Sequence, residues 1–224
     1  MVIEREFVKL GGTFLTPADQ IRESLADIKA FIFDWDGVFN DGRKTNNSDS
    51  SFSEVDSMGI NLLRFDYWLR NSKFPQVFII TGMNNQTAAG FAKREHFTGI
   101  YLNIKDKKDA LENICDNYKI EPKEIAFIFD DVLDIGVAKL CGLSFCVGRK
   151  SNPLLTDYIQ QNRICNYISA FPGENHAIRE ICELLIGLSG DYKRILELRI
   201  RFKGEYEDYL NQRNLINADI VQVG

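Results

Sequence analysis

Histidine is scarce, with only His96 and His176, and the five cysteines lie scattered at positions 115, 141, 146, 165 and 182. An odd number of cysteines without a C-x-x-C pair argues against a disulfide framework. Neither histidine stands at ligand spacing from a cysteine, which leaves no zinc signature. The cysteines read as buried free thiols in a reducing compartment. Long apolar runs are missing, so no segment has the length of a membrane span. The first residues, Met1-Val2-Ile3-Glu4-Arg5-Glu6, lack the basic-then-apolar order of a signal peptide, and a cytoplasmic location is the expectation. An excess of positive charge is missing too. The net charge of −5 speaks against broad attraction to nucleic acid or an anionic membrane. Internal repeats and low-complexity tracts are also absent. What remains is a chain of 224 residues, 45% hydrophobic and 26% charged, the balance of a globular protein with a sizeable core.

Short apolar runs punctuate the chain. Ala30-Phe31-Ile32-Phe33, Val77-Phe78-Ile79-Ile80, Gly99-Ile100-Tyr101-Leu102, Glu124 to Phe129 and Leu143 to Val147 read as buried strands, with a short edge strand at Tyr167-Ile168-Ser169. Between them, Ile60, Leu63, Tyr67 and Trp68 mark one amphipathic helix and Ala110, Leu111, Ile114 and Tyr118 another. A third contains Arg179, Glu180, Leu184 and Leu185. Alternating strands and helices over residues 29 to 188 call for a parallel sheet covered on both faces. Residues 1 to 28 read as an extended arm ending at Gly11-Gly12, followed by a helix with Thr16 as its cap and Pro17 in its first turn. Residues 189 to 224 carry a helical stripe of Tyr192, Ile195, Leu198, Phe202, Tyr206 and Tyr209, with Gly204 as a candidate interruption, and the stripe implies burial against the domain or another subunit. The polar stretch at 40 to 51 predicts turns, either a small hairpin flap or a surface loop.

The acids stand at strand ends. Asp34 and Asp36 close the first core run, with Gly37 to turn the chain away. Asp130 and Asp131, with Asp134 after them, close a later one. Thr81-Gly82 ends the second strand, where a hydroxyl and free N–H groups can hold an anion or simply cap the next helix. Lys105, Lys107 and Lys108 open another helix, either as a solvated face or with one ammonium directed at a phosphate. Ligands of open α/β sheets bind beyond the carboxyl ends of the strands. Carboxylates gathered there repel unless a cation compensates, and magnesium suits carboxylate, water and phosphate oxygens. The set fits phosphoryl transfer: a carboxylate nucleophile, a second carboxylate as acid and base, a hydroxyl and an ammonium on the phosphate.

In this order the motifs resemble the haloacid dehalogenase-like hydrolase superfamily. Asp34-Trp35-Asp36-Gly37-Val38 is similar to its first motif and Ile80-Thr81-Gly82 to its second. Lys107 is similar to the third, and Asp130-Asp131 with Asp134 to the fourth. The segments Phe52 to Ile60 and Gly173 to Glu180 resemble a capless group acting on 3-deoxy-manno-octulosonate 8-phosphate or on nonulosonate 9-phosphates. The resemblance covers about residues 28 to 188. It implies a three-layer α/β/α Rossmann-like fold without a large cap domain, and a small β-hairpin flap. It also implies a homo-oligomer, a tetramer, in which a neighbour helps to close the site. By resemblance Asp34 is the nucleophile and Asp36 the general acid and base. Asp34, Asp130 and the Asp36 carbonyl hold Mg2+, supported by Asp131 and Asp134. Thr81, Gly82 and Lys107 take the phosphate. Arg179 either meets a sugar-acid carboxylate or pairs with a helix neighbour.

Three departures from the resembled pattern stand out. Phe129 precedes the fourth-motif acids where glycine is usual, Ser57 follows Asp56 in place of glycine, and Glu174 to His176 replace a glycine-rich run. They bear on the substrate more than on the phosphotransfer core. Other readings are a phosphatase for a different small sugar phosphate or a non-catalytic scaffold. A signalling receiver domain is disfavoured, because its phosphorylated aspartate belongs on a later strand than its first acid pair.

Overall fold

The computed structural model describes residues 2–44 and 50–222. The helices are α1 (Val2–Leu10), α2 (Ala18–Leu25), α3 (Glu54–Asn71), α4 (Gln86–Arg94), α5 (Lys107–Tyr118), α6 (Ile135–Ala138), α7 (Pro153–Gln161), α8 (Ala177–Ser189), α9 (Tyr192–Arg201) and α10 (Glu205–Arg213). The strands are β1 (Thr13–Phe14), β2 (Ala30–Phe33), β3 (Gln76–Ile80), β4 (Gly99–Leu102), β5 (Ile125–Phe129), β6 (Leu143–Cys146), β7 (Tyr167–Ile168) and β8 (Asp219–Gln222). They form one sheet in the order β1-β7-β6-β5-β2-β3-β4-β8. Every pairing is parallel except β1 with β7.

All four residues of β2 are buried, because the strand serves two cores at once. Phe31 and Phe33 face a cluster built with α2, α3, α4 and α8. Ala30 and Ile32 face the cluster of α5, α6 and α7. This is the alternation of a strand sandwiched between helical layers. The chain runs β2, β3, β4 outward on one side, then returns to β5, β6, β7 on the other. The crossover leaves a crevice at the carboxyl ends of β2 and β5.

Two expectations are corrected, both near the N-terminus. The extended arm is the helix α1: Ile3 and Phe7 lie one turn apart and share a face, Ile3 against the α8 backbone at Gly187 and the Phe7 ring 6.3 Å from that of Tyr167. The cap of α2 is Pro17, not Thr16, whose hydroxyl instead accepts from Asn166 at 3.1 Å. The C-terminal stripe is two helices, interrupted at Gly204 as expected, where Phe202 and Gly204 take φ of 65° and 80°. After them comes the unforeseen strand β8, which adds to the sheet along β4. The flap expected over 40 to 51 falls partly on residues 45–49, outside the described residues, and its described parts carry no strand.

Candidate active site

Asp34 is the first residue past β2, and its backbone N–H still reaches the Ile128 carbonyl at 2.9 Å, so the β-ladder fixes where it starts. Asp130 follows β5, the strand that pairs with β2. Asp134 ends a single helical turn over 132–134, which Asp131 opens by accepting from the Val132 N–H at 2.7 Å. The carboxylates of Asp34, Asp130 and Asp134 are buried and offer oxygens all within 4.8 Å of one another. Lys107, at the start of α5, reaches in with Nζ 2.6 Å from Asp34 Oδ1 and also donates to Asp134. Arg149, on the loop after β6, donates to Asp130 Oδ2 at 2.8 Å.

Three buried acids against two cations leave negative charge uncompensated. Burial, then the nearby Asp34 charge, pushes Asp130 up to about 8, with Arg149 opposing. The same two causes push Asp134 up to about 6, opposed by Lys107. Burial alone would lower the Lys107 ammonium, but the Asp34 and Asp134 charges outweigh it and hold the proton firmly. Such a cluster keeps a shared proton or takes a cation. Its donors are all oxygen, which suits magnesium.

Gly37 is required here. It adopts φ +87°, and a Cβ would lie 2.0 Å from the Asp130 carboxylate. Asp36 turns elsewhere, accepting a hydrogen bond from the Ser50 hydroxyl, with Lys44 Nζ at 2.7 Å. Ser50 already receives Trp35 Nε1 at 3.0 Å and Asn85 Nδ2 at 2.8 Å. Two donors on one hydroxyl leave its own hydrogen for Asp36. Asp34, Asp36, Gly82, Lys107, Asp130, Asp131 and Asp134 thus line one cleft of about 570 Å3. Thr81 stands at the same β3 end, wholly buried. It does not cap α4; Asn85 does, accepting from Ala88 N–H at 3.0 Å.

No family model matches the chain. Among curated proteins it is similar to 3-deoxy-D-manno-octulosonate 8-phosphate phosphatase of Yersinia pestis, 28% identical over 174 residues, covering 75% of this chain and 85% of the relative. The enzyme of Escherichia coli K12 is 28% identical over 169 residues, covering 73% and 82%. Among solved structures, the Moraxella catarrhalis phosphatase of that name, in complex with magnesium, phosphate and its sugar acid, superposes with a TM-score of 0.66 at 26% identity. It covers 81% of this chain and 98% of that one. A Legionella pneumophila hydrolase of the haloacid dehalogenase superfamily shares the fold, with TM-score 0.66 at 24% identity and coverage of 82% and 96%. The chain is a phosphatase, similar in sequence and in fold to these haloacid dehalogenase-like enzymes.

In this phosphatase the departures fall outside the acid cluster. Phe129 points into the core, wholly buried and stacked 5.7 Å from Phe127. Ser57 donates to Glu95 at 3.1 Å and accepts from Arg94 at 3.1 Å, bridging α3 to the end of α4. Glu174 is exposed. Asp56, wholly buried on α3, accepts from the Arg179 backbone N–H at 2.9 Å and so caps α8 from a neighbouring helix. The structure does not bring Arg179 to the cleft within one chain. Its Nε is 2.7 Å from Glu183 on its own helix, the pairing held open as the alternative. Sequence reading missed Arg149, Ser50 and Lys44. Ser50 and Lys44 sit in the polar stretch already suspected of covering the site. Arg149 carried no local signal beyond its place just after a core strand.

Proposed function

We propose that this phosphatase hydrolyses a phosphorylated keto-sugar acid, such as 3-deoxy-D-manno-octulosonate 8-phosphate, through a phosphoryl group carried on Asp34. The observation supporting the reaction is the Asp34 carboxylate held 2.6 Å from Lys107 Nζ, between Asp130 and Asp134, at the sheet's crossover. The supporting argument for the substrate is the likeness to the octulosonate phosphatases.

In this reading a carboxylate oxygen of Asp34 attacks phosphorus, the P–O bond to the sugar breaks, and the leaving alkoxide takes a proton from Asp36. Asp36 then removes a proton from water, whose oxygen attacks the aspartyl phosphate, releasing inorganic phosphate and restoring Asp34. Lys107 holds Asp34 in place and binds phosphate oxygens, together with the Thr81 hydroxyl and the Gly82 N–H. Asp34, Asp130 and the Asp36 carbonyl, with Asp134 beside them, would hold magnesium, which supplies charge compensation for the approach of carboxylate to phosphate. Asp131 supports the turn that carries Asp134. Assembly into a homo-oligomer whose neighbour covers the cleft, and residence in the cytoplasm, belong to the same reading.

Phosphate release from a panel of sugar phosphates tests it. Hydrolysis of the eight- or nine-carbon keto-acid phosphates, dependent on magnesium and lost in Asp34→Asn, is the expected result. Folded protein that releases no phosphate from any ester would overturn it.

A further inference from the structure

One buried hydroxyl, that of Ser50, carries three hydrogen bonds. Its Oγ accepts from Trp35 Nε1 at 3.0 Å and from Asn85 Nδ2 at 2.8 Å, and it donates to Asp36 Oδ1. Neither donor has room to turn. Trp35 is wholly buried against Phe39 and Phe91, with ring centroids 4.5 and 5.7 Å away. Asn85 is buried too, and its Oδ1 caps α4 through the Ala88 N–H, which leaves Nδ2 aimed at Ser50. An indole N–H and an amide NH2 can only donate. The Ser50 hydrogen therefore has one direction left, toward Asp36.

The backbone carrying Ser50 is fastened as well. Asn40, buried, donates to the Ser51 carbonyl at 2.9 Å. Its Oδ1 accepts from the Gly37 N–H at 3.3 Å and the Gly42 N–H at 2.8 Å. One amide thus ties the turn after Asp36 to the segment that returns with Ser50, while Asn85 ties that segment to α4.

The two oxygens of Asp36 are held unequally. Asp36 lines the acid cleft, and Ser50 stands behind it. In that dry position a hydrogen bond to a carboxylate is strong. Oδ2 meets Lys44, whose side chain is 32% exposed. An ion pair so open to water is weak and exchanges readily for another partner.

We propose that Ser50 is a positioning residue for Asp36: its hydroxyl, aimed by Trp35 and Asn85, anchors Oδ1 and leaves Oδ2 as the oxygen that gives a proton to the leaving alkoxide and later takes one from water. The Ser50 hydrogen stays on its own oxygen throughout. The inference rests on the role of Asp36 given above.

Two classes of ester separate positioning from general damage. An alkyl phosphate leaves as an alkoxide that needs the Asp36 proton, whereas p-nitrophenyl phosphate leaves as a stable phenolate that does not. kcat/KM reports the steps through loss of that group. In Ser50→Ala the ratio of kcat/KM on the alkyl ester to that on p-nitrophenyl phosphate is expected to fall about 10- to 100-fold, part of what a well-placed general acid supplies. Ser50→Thr, which keeps the hydroxyl, restores most of the ratio. Trp35→Phe removes one of the two donors, gives the same change at smaller size, and serves if Ser50→Ala does not fold. Asp36→Asn sets the reference, with a larger fall in the same direction. A ratio unchanged in Ser50→Ala and Trp35→Phe, both esters slowing alike, makes Ser50 a merely structural residue and overturns the inference while Asp36 keeps its role. A ratio unchanged in Asp36→Asn removes Asp36 as the acid, and the positioning with it.

Discussion

Lys107 holds the acid cluster together by charge. Its buried ammonium touches Asp34 and Asp134, in a cluster where burial, then the Asp34 charge, already raises the Asp130 and Asp134 pKa values. Removing one partner of a buried ion pair leaves its counter-charge stranded. Lys107→Met is expected to destabilise the fold by about 3–5 kcal/mol in urea melts. Magnesium, binding folded carboxylates alone, should return part of that loss, since a ligand at a hundred times its dissociation constant stabilises by about 2.7 kcal/mol. A mutant melt indifferent to magnesium would separate Lys107 from the metal site. Asp34→Asn should lower turnover by ~10^4-fold or more while leaving a soluble, folded protein, because no neighbouring group replaces a lost nucleophile. Residual turnover near wild type would assign the attack elsewhere. The pattern of Asp34, Asp36, Lys107 and Asp130 was legible because each closes or follows an apolar run. Arg149 was not, because its meaning comes from β6 lying beside β5, a pairing that no local spacing carries.

At the scale of elements, legibility followed burial. β2 and β5 are buried throughout and stand out as unbroken apolar runs. β8 is mostly exposed and joins by backbone pairing to β4, so its side chains left no pattern to read. The helix α10 docks through Tyr206, which donates to Asn61 at 2.7 Å, and through the fully buried Tyr209. Burial pushes the Tyr209 phenol up to about 12, opposed by the nearby Arg64 charge. The folded state thus holds a proton that the unfolded chain releases near pH 10. Its contribution is complete below that pH and is lost as pH rises through about 12, for a change of about 3 kcal/mol. Denaturation midpoints across this window should fall more steeply in wild type than in Tyr209→Phe. Parallel curves would show that the phenol does not govern the docking.

At the scale of the molecule, the terminal segments belong to the same sheet as the central strands, with β1 at one edge and β8 at the other. Ile195, Leu198, Tyr206 and Tyr209 are buried in the cluster that also holds Phe65 of α3. Each such side chain contributes about 1.5–3 kcal/mol when buried. Cutting the chain after Ser189 therefore removes a sum comparable to a typical whole stability of about 5–15 kcal/mol. The truncated protein is expected to melt far lower or to aggregate, as calorimetry and light scattering would show; an unchanged melting temperature would mean that α9 and α10 are ornamental.

The order of the strands also has a history in time. β2 lies between β3 and β5, yet roughly ninety residues separate it from β5 along the chain. A ribosome making about 5–20 residues per second leaves one flank of that apolar strand without its neighbour for several seconds. During that interval the nascent chain exposes an open strand edge, a template for self-association. Asp34, just past β2, waits equally long for Asp130, just past β5. Anything that slows synthesis between residues 34 and 125 should cost yield through aggregation before it costs activity per folded molecule.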